Sequence, residues 1–333
     1  MTRGMKVGVL QFFSWSRRIP LTTVYERAFS RIEIMDQTGY DCVWLAEHHF
    51  STYSVCPSIN VMATHVAART RNVRIGLAVS LAAFYNPLRL AEEVALVDVL
   101  SGGRVNWGAG RGFDRNEFAA FGVPPEESSD RFRECVDIVL TAWRDERLHY
   151  AGKYWTYDGV EVLPKPLQTP HPPVWLAATS LDSIRRAAEK GFDILQDPHA
   201  SHVSIGEKRA LYYDTLRAHG FPTEGRVIPT ARLLAVGATE QEADDVARAG
   251  AQWTVGSYAN PSKRTGPPAP HHLVPGDPVE RYMNDVVIRG TPERVLDTIT
   301  ELRETIGLDY LMCAPLSHQS FMLFTEKVLP KLV

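Results

Sequence analysis

Short apolar runs alternate with amphipathic stretches along the whole chain. The runs at 6–11, 42–46, 73–81, 104–109, 174–178, 192–196, 228–236 and 309–314 have strand length and no clean polar alternation, as strands covered on both faces do. Between them, apolar residues at helical spacing predict helices over 21–37, 58–69, 88–100, 131–144, 182–190, 204–219, 240–253, 292–305 and 321–329. Eight such units, with no change of composition to mark a linker, predict a single α/β domain over 1–333, a (β/α)8 TIM barrel. The alternative is an open doubly wound sheet, which normally carries a glycine-rich turn after its first strand. Here that turn is Phe12-Phe13-Ser14-Trp15.

Two segments interrupt the rhythm and predict insertions after strands 4 and 7. The first, 150–173, is polar, aromatic and proline-rich and reads as a hairpin or surface excursion. The second, 257–278, holds six prolines and is too long for a plain connector, so it is either a lid or an inert surface insertion.

Charge and composition narrow the partners. A net charge of -3 supplies no basic field, which argues against nucleic acid or an anionic membrane. No run approaches the roughly 18 apolar residues of a bilayer span, and the first residues lack the features of a secretory signal, so a cytoplasmic enzyme is expected. Cys42, Cys56, Cys135 and Cys313 lack CxxC spacing and predict reduced thiols, with no metal site.

In a barrel, chemistry gathers where strands end. Glu47-His48-His49-Phe50 puts a carboxylate and two imidazoles at one such end, suited to proton exchange near neutral pH. Hydrogen-bonded packing and metal ligation are the competing readings. Adjacent histidines on an extended chain point to opposite sides, which disfavours a shared ion. Gly108-Ala109-Gly110-Arg111-Gly112-Phe113 lets backbone approach a ligand and offers a guanidinium to an anion; a tight turn with a paired arginine explains it equally. Thr179, Ser180 and Ser183 surround a helix start, where free N–H groups form an anion site and where simple capping is the plainer meaning. Ile75-Gly76-Leu77-Ala78-Val79-Ser80 is a strand of small residues against which a flat ring could lie, or which simply packs. Phe12, Trp15, Phe84 and Tyr85 follow other strand ends and suit an apolar pocket.

Taken in order, these places resemble the bacterial luciferase-like superfamily of flavin-dependent oxidoreductases over nearly the whole chain. The marks are Glu47-His48-His49-Phe50, Ser101-Gly102-Gly103-Arg104, Gly110-Arg111-Gly112-Phe113 with Phe118 and Phe121-Gly122, and Gly290-Thr291-Pro292-Glu293. The resemblance implies that His48 lies beside the reactive edge of the flavin. It implies that Arg111, Arg131, Thr179, Ser180 and Ser183 bind the flavin phosphate, and that Ala78 and Val79, often joined by a cis peptide, meet the ring. It further implies FMN, taken as FMNH2 from a separate flavin reductase, and a C4a-hydroperoxide that oxidises a small organic substrate, which the aromatic residues at the strand ends suggest is apolar or aromatic. The assembly it implies is a homodimer. F420-dependent hydride transfer on the same fold, or a non-catalytic flavin-binding barrel, are the alternatives. Two departures stand out: Gly110 replaces the reactive cysteine of the luciferase large subunit, and the loop before Arg131 is longer than in luciferase.

Overall fold

The computed structural model describes residues 4–257 and 276–333. The second proposed insertion, with its lid reading, falls mostly on 258–275 and so lies outside the described residues.

The first half of the chain runs β1 (Lys6–Gln11), α1 (Leu21–Gln37), β2 (Cys42–Leu45), α2 (Ile59–Arg69), β3 (Arg74–Leu81), α3 (Pro87–Ser101) and β4 (Val105–Gly110). Then come α4 (Arg115–Ala120), α5 (Ser128–Arg144), β5 (Leu148–Ala151), β6 (Thr156–Val160), β7 (Val174–Ala177), α6 (Leu181–Glu189), β8 (Asp193–Leu195) and α7 (His202–Ala218). The chain finishes with β9 (Pro229–Val236), α8 (Glu240–Ser257), α9 (Pro278–Asp285), β10 (Ile288–Gly290), α10 (Pro292–Ile306), β11 (Tyr310–Pro315) and α11 (His318–Leu323).

Eight strands pair in parallel in the order β9-β11-β1-β2-β3-β4-β7-β8. The ring closes where Gln196 donates to Pro229 O and accepts from Ala231 N, both at 3.0 Å. Strand β10 adds to the outer side of this order through β9. Residues 148–160 form an antiparallel hairpin outside the ring. Its turn is anchored by buried Glu134, which accepts from the backbone N–H groups of Lys153, Tyr154 and Trp155.

Alternate residues along the strands face two cores. Val7, Val9, Val43, Leu45, Ile75, Leu77, Val105 and Leu311 meet the helices, whereas Leu10, Trp44, Trp175, Leu195 and Tyr310 fill the bore. Bulk in the bore is matched by glycine opposite. A Cβ on Gly76 would stand 2.1 Å from Trp44 Cε3, so this position of β3 must be glycine for the indole to lie across the barrel. Trp44 Nε1 donates to Tyr310 Oη at 3.1 Å, satisfying a polar atom in a closed core.

Candidate active site

The four places singled out at strand ends lie on four consecutive strands of the ring. Leu45 pairs with Leu77, so Glu47 and His48 leave β2 beside Ala78 and Val79 of β3. Leu81 pairs with Gly110 of β4, and Ala109 with Leu176 of β7, which brings Arg111 next to the turn into α6. The hairpin and α5 lie between β4 and β7 in sequence, yet the two strands are neighbours in the ring, as consecutive strands of a (β/α)8 barrel are.

Beyond β2 the chain turns sharply: Phe50 adopts φ +53° and is 68% exposed, while the three polar residues before it turn inward. Glu47 is buried, and its carboxylate accepts from His49 Nε2 and from Tyr85 Oη, both at 3.0 Å. These bonds oppose the desolvation that raises its pKa. The two histidines diverge as alternating side chains should. His49 serves Glu47, whereas His48 sits among Phe12, Tyr53 and Phe113, with ring centroids 6.3, 5.5 and 6.4 Å away. Its main-chain N–H donates to Cys56 O at 3.1 Å. Burial, helped by His49, pushes His48 down to about 4, so it is a neutral imidazole at neutral pH.

A second carboxylate reaches this place from α4. Glu117 Oε1 accepts from His49 N at 3.0 Å and stands 3.9 Å from His48 Nδ1. Burial raises Glu117 to about 7, with Asp114 and Glu47 adding to the rise and the His49 N–H opposing it. Sequence reading passes over this residue. Asp114-Arg115-Asn116-Glu117 has the spacing of an ordinary capped helix start, and Asp114 does accept from Asn116 N at 2.8 Å. That local explanation masks the turn of Glu117 toward His49.

Ala78 and Val79 are half-buried in the middle of a strand whose neighbouring residues are buried, and the register with β4 shifts at that point. The peptide between them is cis. A Cβ on Gly110 would lie 2.4 Å from Val79 Cγ2 and 3.5 Å from Ala177 Cβ, so small residues on three strands make one low wall.

At the phosphate candidates, Ser180 caps α6 in a reciprocal pair with Ser183: Ser183 N donates to Ser180 Oγ, and Ser180 N donates to Ser183 Oγ, each at 3.1 Å. The pair satisfies the third N–H of the helix, and Thr179 is exposed beside it. Leu181 and Asp182 at the start of α6 have backbone N–H groups that no helical carbonyl can serve. The one acidic side chain there, Asp182, is drawn to Arg186 at 2.8 Å. Arg111 donates to Ser128 Oγ at 3.1 Å. Arg131, one turn further along α5, pairs with Glu127 at 2.8 Å and stacks 4.3 Å from the Tyr154 ring. The turn at the start of α6, the hydroxyls of Thr179, Ser180 and Ser183 and the Arg111 guanidinium are donors of the kind a phosphate monoester takes, and the low wall suits a planar ring.

Residues 5–309 match the family model for luciferase-like monooxygenases. Protein y4wF of Sinorhizobium fredii is 30% identical over 294 residues, covering 87% of this chain and 84% of its own. The oxygenase component of a flavin-dependent trigonelline monooxygenase from Acinetobacter baylyi is 29% identical over 177 residues, 53% of this chain and 49% of that relative, so the match spans about half of its length. Among solved structures, monooxygenase RslO1 from Streptomyces bottropensis superposes with a TM-score of 0.86 at 25% identity, covering 99% of this chain and 100% of that one.

Proposed function

Since the chain belongs to the luciferase-like monooxygenase family, we propose that it is the oxygenase component of a two-component, FMN-dependent monooxygenase, taking FMNH2 from a separate reductase. When bound, the reduced flavin would supply the oxygen chemistry, and the protein supplies position and dryness. The observation carrying this reading is that a neutral imidazole, a small-residue wall, a guanidinium and an open helix start occupy consecutive strand ends.

Each part has a task. Thr179, Ser180, Ser183 and Arg111 hold the phosphate, with Arg131 adding positive charge from α5. Ala78, Val79, Gly110 and Ala177 support one face of the ring. Neutral His48 takes up or returns a proton at the reacting edge, and Phe12, Tyr53 and Phe113 exclude water around it. The same aromatic lining favours an apolar or aromatic organic substrate. A homodimer in the cytoplasm completes the reading; the four thiols are all buried and unbridged, as a reducing compartment allows.

Anaerobic titration with FMN, FMNH2 and F420 tests the cofactor. FMNH2 should bind more tightly than FMN, and tight F420 binding without affinity for FMNH2 would reject the proposal in favour of hydride transfer.

A further inference from the structure

Around His48 the structure contains more machinery than one imidazole needs. Buried Glu117 is brought from α4, a separate element, to the Nδ1 side of the ring, and its carboxylate is fixed there by the main-chain N–H of the very next residue, His49. Glu47 fixes the other side of the same dipeptide through the His49 ring and is itself held by Tyr85. Both carboxylates therefore bear on the turn that carries His48. Of the two, Glu117 is the one that reaches the His48 ring, with Oε1 3.9 Å from Nδ1, whereas Glu47 pairs with the His49 ring.

We propose that Glu117 is the positioning residue of the site: its carboxylate keeps the His48 proton on Nδ1, so that the lone pair resides on Nε2, the nitrogen remote from Glu117. The reason is the usual one for imidazoles, in which the group facing one nitrogen decides which nitrogen is protonated. An anion beside Nδ1 attracts the N–H dipole and repels a lone pair. The 3.9 Å separation exceeds a hydrogen bond, so the effect is electrostatic and requires the ionised acid. The preference should consequently follow ionisation of Glu117 through the neutral range. The groups that act on this ionisation are Glu47 and His49 from the end of β2 and Asp114 from the start of α4.

The inference rests on reading His48 as the active-site imidazole, but its test uses the protein without flavin, so the two can fail separately. Side-chain nitrogen NMR of ¹⁵N-histidine-labelled protein reports the tautomer directly. At alkaline pH the wild type should hold Nδ1–H over Nε2–H by roughly tenfold, and the preference should fall as Glu117 protonates. Glu117→Gln keeps an oxygen for the His49 N–H and removes the charge. It should abolish the pH-dependent change, and Glu117→Asp should restore part of it. Should the glutamine variant fail to fold, the wild-type titration alone decides. A proton on Nε2 at alkaline pH, or a tautomer ratio that ignores pH in the wild type, would overturn the proposal. So would a glutamine variant that retains the wild-type profile.

Discussion

Replacing Glu117 by glutamine should change how stability depends on pH. Glu117 is 1% exposed, and its burial beside Asp114 and Glu47 lifts it from 4.5 to about 7 in the folded state. On unfolding it regains its ordinary value, so the native state is the better proton binder. The stabilisation from this proton is complete below the unfolded value and is lost as pH rises through the folded one. At about 1.4 kcal/mol for each tenfold difference in proton affinity, the total loss is about 3 kcal/mol, and about 2 kcal/mol of it falls between pH 5.5 and 8.5. Glutamine cannot titrate, so the variant lacks this slope. Urea unfolding of both proteins at the two pH values, followed by tryptophan fluorescence and circular dichroism, measures the difference. The wild type should lose about 2 kcal/mol relative to Glu117→Gln on going to the higher pH. A difference between the two proteins that is the same at both pH values would refute the assignment of a protonated, desolvated carboxyl.

The remaining expectations concern the cofactor site and the barrel. His48→Ala should retain FMNH2 binding, measured by anaerobic fluorescence titration, and lose product formation; unchanged turnover would reject its role. Arg111→Ala should weaken FMN by roughly 10- to 100-fold while leaving riboflavin nearly unaffected, because a charged hydrogen bond is worth about 1.5–3 kcal/mol and only FMN carries the phosphate. Gly76→Ala places a Cβ 2.1 Å from Trp44 Cε3 and should destabilise the barrel by about 1–3 kcal/mol or more in thermal or urea unfolding. A silent substitution there would mean that Trp44 does not span the bore.

The ring of eight strands was legible because both faces of each strand are covered, which leaves short, uniformly apolar runs. The pieces missed are short: α4, α9 and β10 span six, eight and three residues, too few for a period to show. Helix α5 starts at Ser128, three residues before the expected start, because its first turn is polar. Residues 150–173 read as a hairpin or surface excursion, and the structure makes a hairpin over 148–160; its anchor at Glu134 did not show, because the contact spans 20 residues in sequence. At the site, the individual strand ends could be read locally, whereas their adjacency depends on ring order. Local rules also concealed Glu117, since a helix-start acid has an ordinary explanation. The reverse holds for Ser180 and Ser183, where capping and anion binding are compatible: the cap satisfies the third N–H of α6 and leaves earlier ones to a ligand.

If this barrel shelters reduced FMN during its reaction with oxygen, rapid mixing shows it without knowledge of the substrate. FMNH2 bound to excess protein is mixed with oxygenated buffer, and the appearance of oxidised flavin is followed against FMNH2 alone. The wild type should delay oxidised flavin well beyond the free reaction, and His48→Ala should shorten the delay. Oxidised flavin appearing as quickly with the protein as without it would rule out that shelter.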